Sequence, residues 1–501
     1  MRDTFGRGSN PELLENSQDD DMSKTTDAFL QSDYPTLMFH GAAKTVTGSM
    51  HLLKTPDSLI SLDCGLFQGR RWEGNEINRE FPLPASEIDT VLLSHGHIDH
   101  CGKIPYLVKK GFKGKIYATG ATVDLCEIML ADSGHIQEED ARYWNEKRAR
   151  TEEEEIQALY TIEDAQKAMK YFQTINYDQT FAFADGARAT YIEAGHILGS
   201  ACVLIELTKP EPITILFTGD MGRFNMPILR DPVEPLPKID YLITESTYAD
   251  RRHQNPTDMK EQLARIINET RAIGGKVIIP SFSVGRTQNV LFYLEQALSE
   301  GLIEPIPIFV DSPLSTNATE VFKKHPECYD KETHSLWDDH GGLFGDSTVR
   351  FITAVEESKA LNYMDEPCVI LAASGMCESG RILHHLKNNV TEEKNTVCIV
   401  GFMAQHTLGR RLVERRQEIK IYGRLYPMMA RLELLNGFSA HADSSDFERL
   451  YAPLAKDLKA AFVVHGEGPQ PIAMKKMLHK LGCPKVIIPS AGDVIRLDQL
   501  P

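Results

Sequence analysis

Apolar and polar positions along the chain repeat one figure: a short apolar run that ends in a polar, chemistry-bearing residue. Val91-Leu92-Leu93 runs into Ser94-His95-Gly96-His97-Ile98-Asp99-His100, and Ser58 to Leu62 ends in Asp63. Thr214 to Thr218 ends in Gly219-Asp220, and Tyr241 to Thr244 ends in Glu245. Such runs read as buried strands whose last residues spill into a loop. In α/β folds, sites lie beyond the carboxyl ends of the strands. Further strands are expected at Met50 to Lys54, Lys115 to Ala118, Ala189 to Glu193 and Ala201 to Leu207. The last two flank the turn Ala194-Gly195-His196-Ile197-Leu198-Gly199-Ser200, which exposes a histidine between glycines. Residues 122–172 carry helical periodicity with a heavily charged middle, an excursion expected to overhang the site.

From about position 250 the texture changes. Helices at 257–273 and 287–300 alternate with strands at Lys276 to Pro280 and Ile308 to Asp311. Strands at Cys368 to Ala372 and Val397 to Val400 bracket Ser374-Gly375-Met376 and Gly380-Arg381. This alternation predicts a doubly wound α/β unit inserted into the first domain. The last segment returns to the first texture. Phe438-Ser439-Ala440-His441-Ala442-Asp443 precedes a helix, and a strand from Lys459 to Val464 ends in His465-Gly466-Glu467. The expected organisation is a disordered polar tail over 1–34, a first domain over 35–248, the insert over 249–435 and the rest of the first domain over 436–501.

Composition narrows this little. With 501 residues and 42% apolar content, a sizeable core can form. No apolar run approaches the roughly 20 residues of a membrane span, and the polar, acidic N-terminus does not resemble a secretory signal. Nine cysteines without C-x-x-C spacing read as reduced core thiols of a cytoplasmic protein, Cys101 beside the histidine cluster included. The net charge of −17 argues against a nucleic-acid binder, an objection that local clustering softens. Much of the acid is local, at Asp19-Asp20-Asp21 and Glu152-Glu153-Glu154-Glu155, whereas Arg70-Arg71, Lys109-Lys110, Arg410-Arg411 and Arg415-Arg416 are basic.

Imidazole and carboxylate packed as in His95 to His100 suit zinc or a similar transition metal. Gly96 lets the backbone fold tightly between the first two histidines. Four ligands this close cannot all serve one tetrahedral ion that keeps positions open. Two adjacent ions fit better, with more ligands from later in the chain. Asp63 reads equally as a turn-former before Gly65 or as an acceptor that orients a ligating histidine. His40, His51, His135, His325, His384, His385 and His406 lack such a setting and read as structural or exposed.

With these residues in view, the chain resembles the β-CASP branch of the metallo-β-lactamase superfamily from about residue 36 onwards. The likeness rests on Asp63, on the H-x-H-x-D-H pattern of His95, His97, Asp99 and His100, and on His196 and Asp220. The branch's own markers match Glu245, His441 and His465, and Asp311-Ser312-Pro313 and Ser374-Gly375-Met376 resemble its inserted cap. In arrangement the chain is similar to bacterial and archaeal RNA-processing nucleases and to the eukaryotic mRNA 3′-end endonuclease. Neither a KH-type domain before the core nor a further domain after it is expected, a departure from the archaeal cleavage factors and ribonuclease J.

The resemblance implies an α/β fold: a metallo-β-lactamase αββα sandwich with an inserted α/β β-CASP cap. It implies a ribonuclease that hydrolyses RNA phosphodiester bonds with two zinc ions per chain. One ion is assigned to His95, His97 and His196, the other to Asp99, His100 and His465, with Asp220 bridging. Asp99, Glu245 and His441 are the expected catalytic residues, His441 acting as general acid in the grip of Glu245. Ser439 and His441 are expected to touch substrate. A histidine at position 465 resembles the RNA-acting members. Single-stranded RNA is the expected partner, with no membrane association and a homodimer left open. Two other readings use the same core. A hydrolase of small esters, lactams or thioesters leaves Glu245, His441 and the insert unexplained. A non-catalytic RNA-binding subunit sits poorly with a complete ligand set.

Overall fold

The computed structural model describes residues 26–68, 76–148, 155–253, 258–340, 343–344, 348–401, 403 and 407–500. Its first strands are β1 (Thr36–Phe39), β2 (His51–Lys54), β3 (Leu59–Leu62), β4 (Thr90–Leu92), β5 (Lys115–Thr119) and β6 (Phe172–Ile175). Then come β7 (Thr180–Ala184), β8 (Ala187–Glu193), β9 (Ala201–Leu207), β10 (Ile213–Phe217) and β11 (Tyr241–Thr244). The insert supplies β12 (Val277–Pro280), β13 (Ile308–Val310), β14 (Val349–Phe351), β15 (Val369–Ala372) and β16 (Thr396–Ile399). It continues with the hairpin β17 (Glu418–Ile421) and β18 (Arg424–Pro427), then β19 (Arg431–Leu434). The chain ends with β20 (Ala460–Val463), β21 (Val486–Ile487) and β22 (Val494–Arg496).

Two seven-stranded sheets form the sandwich, ordered β22-β1-β2-β3-β4-β5-β6 and β21-β20-β11-β10-β9-β8-β7. Alternate residues of each strand face opposite sides. Leu37, Leu53 and Leu62 of the first sheet meet Val203, Ile215, Ile243 and Phe462 of the second in one buried core. The outer face of the first sheet, with Met38, Leu52 and Val91, is covered by Ile104, Leu107, Leu130 and Ala165 from helices. The outer face of the second is covered by Phe447, Leu450 and Tyr451 of the helix Ser444–Tyr451 and by Met474 and Leu478 of the helix Gln470–Lys480. The result is the expected αββα layering.

The third sheet, β14-β13-β15-β12-β16-β19, is parallel throughout and lies, in sequence, between β11 and β20. Helices cover both its faces. One of its cores also takes in Ala121, Leu125, Ile197, Leu198 and Phe438. The cap therefore packs directly on the loops that carry His196 and His441.

One expectation needs correction. Of the expected disordered tail, residues 1–25 lie outside the described residues, but 26–30 are helical and Phe29 is 1% exposed, buried under the first sheet's outer face. One aromatic anchor in a polar stretch leaves no periodic signature. The stretch 122–172 is largely helical, as expected. A helix runs over Gly120–Arg148 and a second over Ile162–Ala168, started by a capping box between Thr161 and Asp164, before the chain enters β6. Both β6 and β7 are half exposed, so they lack the apolar run that marked the other strands. Among the described residues, no helix is long and apolar enough to cross a membrane.

Candidate metal centre

The centre forms where strand ends from both sheets converge. Because β3 and β4 are parallel neighbours, with Leu62 opposite Leu92, the Asp63 tip meets the loop 94–100. Asp63 sits at φ +61° and accepts four hydrogen bonds: Ser94 N at 2.8 Å, Ser94 Oγ at 3.0 Å, Ser49 Oγ at 3.2 Å and His100 Nδ1 at 2.6 Å. His97 caps the short helix Ile98–Cys101, which carries Asp99 and His100 in its single turn. In the second sheet the parallel neighbours β10, β11 and β20 deliver Asp220, Glu245 and His465 to the same edge. His196 comes from the turn between the antiparallel pair β8 and β9.

These side chains form two groups of donor atoms lying within 4.8 Å of one another: His95, His97, His196 and Asp220, and Asp99, His100 and His465. In the first, His97 Nδ1 lies 3.1 Å from His95 Nε2 and 3.3 Å from His196 Nε2. Asp220 Oδ2 lies 3.5 Å from His95 Nε2 and 3.4 Å from His196 Nε2. In the second, His100 Nε2 and His465 Nε2 are 3.3 Å apart, and Asp99 Oδ2 is 3.5 Å from His465 Nε2 and 4.0 Å from His100 Nε2. Asp220 Oδ1 lies 3.4 Å from His100 Nε2, so the two oxygens of one carboxylate face the two groups. Ligands at 2.0–2.1 Å around a tetrahedral ion are separated by about 3.3–3.4 Å. The donor set therefore has the edge lengths of a metal's coordination shell.

The electrostatics agree. Burial pushes His95 and His196 well below the ordinary histidine range and His97 down to about 4, which leaves their lone pairs free. Burial also opposes a charge on His100, but Asp220 and Asp63 outweigh it and hold that imidazole well above the ordinary range. Asp220 Oδ1 and His196 Nδ1 are buried without a hydrogen-bond partner among the described residues. Neutral imidazoles at His95, His97 and His196 turned on ionised carboxylates, with His100 held charged by Asp220 and Asp63, fit a place for bound cations.

Two residues that the sequence did not single out fix ring orientation. Ser94 Oγ lies 3.0 Å from His95 Nδ1. The Thr247 hydroxyl donates to the His465 carbonyl at 3.1 Å and accepts from His465 Nδ1 at 3.0 Å, so Nε2 faces the centre. Both sit one or two positions from a marker residue, which is the one signal the sequence offers. His465 itself takes φ +46°.

Beside the donors, His441 Nδ1 is 3.1 Å from Glu245 Oε1 and 3.8 Å from Asp220 Oδ2. Glu245 is fully buried and accepts from the backbone N–H of Met221 at 2.7 Å and of Thr247 at 3.2 Å. Burial opposes a charge on His441, but Glu245 and then Asp220 outweigh it and raise the group to about 9. The His441 side chain keeps 22% exposure, so it faces solvent as well. Gly222 joins this loop to the His196 turn. It bridges to His441, donates to the Ala194 carbonyl at 2.7 Å, and would place a Cβ 1.8 Å from the Gly195 oxygen.

Every expected donor is thus in the cluster. Ser439, 8% exposed, stands two residues before His441 and hydrogen-bonds the Tyr248 side chain. Asp311 does not reach the cluster. It binds Arg381 Nη1 at 2.7 Å, His385 Nε2 at 2.6 Å and Ser358 Oγ at 2.5 Å, pinning strand ends inside the cap. Cys101 is buried with its thiol on the Gly96 carbonyl, a packing role. The helix Gly120–Arg148 touches the site through Thr122, which donates to the Gly199 carbonyl at 2.8 Å, and the cap through Asp124, 3.0 Å from His325.

Comparison with known proteins agrees with this geometry. Residues 52–221 match the metallo-β-lactamase superfamily domain, 287–412 the β-CASP domain and 425–489 the Zn-dependent metallo-hydrolase RNA specificity domain. A ribonuclease of Thermus thermophilus is 32% identical over 87% of this chain and 94% of its own. The chain belongs to the β-CASP branch of the metallo-β-lactamase superfamily. An RNase J-like protein of Methanocaldococcus jannaschii is 30% identical to this β-CASP chain over 92% of it and 99% of the relative. The transcription termination factor FttA of the same organism is 29% identical over 94% of this chain and 73% of its own. A crystal structure of a protein of unknown function from Enterococcus faecalis covers 92% of the chain at TM-score 0.50 and 13% identity, a likeness of fold alone.

Proposed function

We propose that this β-CASP protein is a ribonuclease that hydrolyses phosphodiester bonds of single-stranded RNA with a pair of zinc ions. The observation that carries the reading is the pairing of a two-group donor set with His441, which lies 3.1 Å from Glu245 at the solvent side of the cluster. The names of the relatives support RNA as substrate.

His95, His97 and His196 would hold one ion, and Asp99, His100 and His465 the other, with Asp220 offering an oxygen to each. Bound there, the ions supply Lewis-acid stabilisation of a phosphate oxygen and a nucleophile available near neutral pH. Asp63 and Thr247 hold His100 and His465 by their Nδ1 atoms, fixing the tautomers that ligate. Glu245 keeps His441 protonated and aimed at the cleft, where it gives its proton to the departing ribose oxygen. Ser439, beside it, contacts the phosphate. Asp99, as both donor and catalytic residue, holds the nucleophile's proton as it attacks. A small-ester hydrolase would have no use for the His441–Glu245 pair or for a cap packed on the His196 turn.

The test is incubation of the purified chain with end-labelled single-stranded RNA, with and without chelator, alongside metal analysis. Cutting that stops on chelation, with about two zinc ions per chain, is expected. Absence of cutting by the zinc-loaded protein sinks the reading.

A further inference from the structure

Arg286 opens the cap helix Arg286–Ser299, immediately after Gly285 at φ +76°. Gly285 lies against the His196 turn, where a Cβ would stand 3.4 Å from Ile197 Cγ2. The Arg286 guanidinium lies over Phe438, 6.0 Å from the ring centre, and Phe438 directly precedes Ser439. Arg286 is thus a cap residue placed between the two sandwich loops that carry His196 and His441.

Its Nε and Nη1 are buried and have no hydrogen-bond partner among the described residues. A buried cationic group left unpaired is strongly unfavourable, and folded chains nearly always pair such groups. Arg223 nearby shows the usual solution, with Nη1 donating to the Gly437 carbonyl at 2.6 Å. Burial pushes Arg286 down to about 10, with the phenol of Tyr248 opposing this and the charge of Arg223 adding to it, so it remains ionised at neutral pH. Tyr248 in turn hydrogen-bonds Ser439 and lies 6.0 Å, ring to ring, from His441. Two guanidiniums, a phenol and a serine therefore lie together next to the donor cluster. Among the described residues, none accepts a hydrogen bond from these Arg286 atoms.

We propose that Arg286 binds a backbone phosphate of the single-stranded RNA, beside the bond being cut. The planar fork of a guanidinium matches two phosphate oxygens, and a sugar–phosphate chain crossing the cluster presents such groups at every step. Because Arg286 belongs to the cap and the metal donors to the sandwich, the strand would be gripped from both sides at once. The inference rests on the ribonuclease reading and adds to it a residue that specifies the polyanionic backbone. It also makes a stability claim: the charge is kept against the interest of the fold.

The experiment compares wild type with Arg286→Gln and Arg286→Lys as full, zinc-loaded chains. Melting temperature, zinc content and kcat/KM on single-stranded RNA are measured at several salt concentrations. For Arg286→Gln, kcat/KM is expected to fall roughly tenfold, carried mainly by KM. The slope of log(kcat/KM) against log[salt] should become shallower by about 0.7, one phosphate contact on a single strand. Zinc content should hold, and the melting temperature should hold or rise. Arg286→Lys should keep the wild-type salt slope. Substrates carrying one neutral methylphosphonate then locate the contact: at one position wild type loses the same tenfold and Arg286→Gln loses nothing further. Unchanged kcat/KM and slope in Arg286→Gln overturn the assignment, as does a lower melting temperature with loss of zinc, which would make Arg286 structural. Wild type that neither binds nor cuts RNA brings down the ribonuclease reading itself. Wild type that cuts beside an equally active Arg286→Gln brings down only the Arg286 assignment.

Discussion

Thr247 and His465, 218 residues apart, exchange two hydrogen bonds, one between the hydroxyl and the His465 carbonyl and one with Nδ1. This pair ties the end of β11 to the end of β20 and turns Nε2 of the histidine toward His100. Thr247→Val keeps the shape and removes both bonds. It should weaken binding of the second zinc by about 10–100-fold, as loss of such supporting partners does. Zinc titration of the chelated protein checks this, and a variant that binds both ions as tightly as wild type refutes it.

Asp63 holds a second ligand in the same manner, at 2.6 Å from His100 Nδ1. Asp63→Asn should likewise cost about 10–100-fold in zinc affinity and in cleavage. The loss should be recovered in part by excess zinc, which separates it from a failure to fold.

His97→Ala removes a donor that lies 3.1–3.3 Å from two others. Cleavage should fall by roughly a thousandfold or more, while circular dichroism keeps the wild-type spectrum. Undiminished cutting by the folded variant would exclude the donor assignment. Stripping zinc from wild type should lower its melting temperature, because carboxylates and imidazoles then crowd together without the charge that reconciles them.

The His441–Glu245 pair predicts a pH effect with a definite sign. The active form of a general acid is protonated, so cleavage should decline as pH rises through the His441 pKa, which Glu245 holds above the ordinary histidine value. Glu245→Gln should slow cleavage by roughly 10²–10⁴-fold and move that alkaline limb to lower pH, with zinc retained. A limb that does not move assigns the proton to another group.

Gly222→Ala would set a Cβ 1.8 Å from the Gly195 oxygen and force apart the His196 and His441 loops. A cost of roughly 2–4 kcal/mol in stability is expected, with a larger proportional loss of cleavage. Chemical denaturation and kinetics on the same preparation measure both.

Five residues of the site were legible in the sequence because each lies at the end of an apolar run, and a strand tip is the place where a buried sheet can present polar chemistry. Asp63, His95, Asp220, Glu245 and His465 all announce themselves this way. Ser94, Thr247 and Arg286 do not, because their roles lie in hydrogen bonds between neighbouring strand ends or in the lack of one, and linear spacing is blind to both. The edge strands β6 and β7 escaped for a related reason: half of each faces water, so no apolar run marks them. Phe29 shows the opposite limit, a single anchor too isolated to make a pattern.

The placement of the cap between β11 and β20 has a consequence for how the molecule is made. A ribosome that has reached Leu434 has already polymerised β1 to β19, but neither His441 nor His465. A chain stalled there would lack both the proposed proton donor and a proposed ligand of the second ion. The nuclease would stay inert towards the very message that encodes it until the closing segment leaves the exit tunnel.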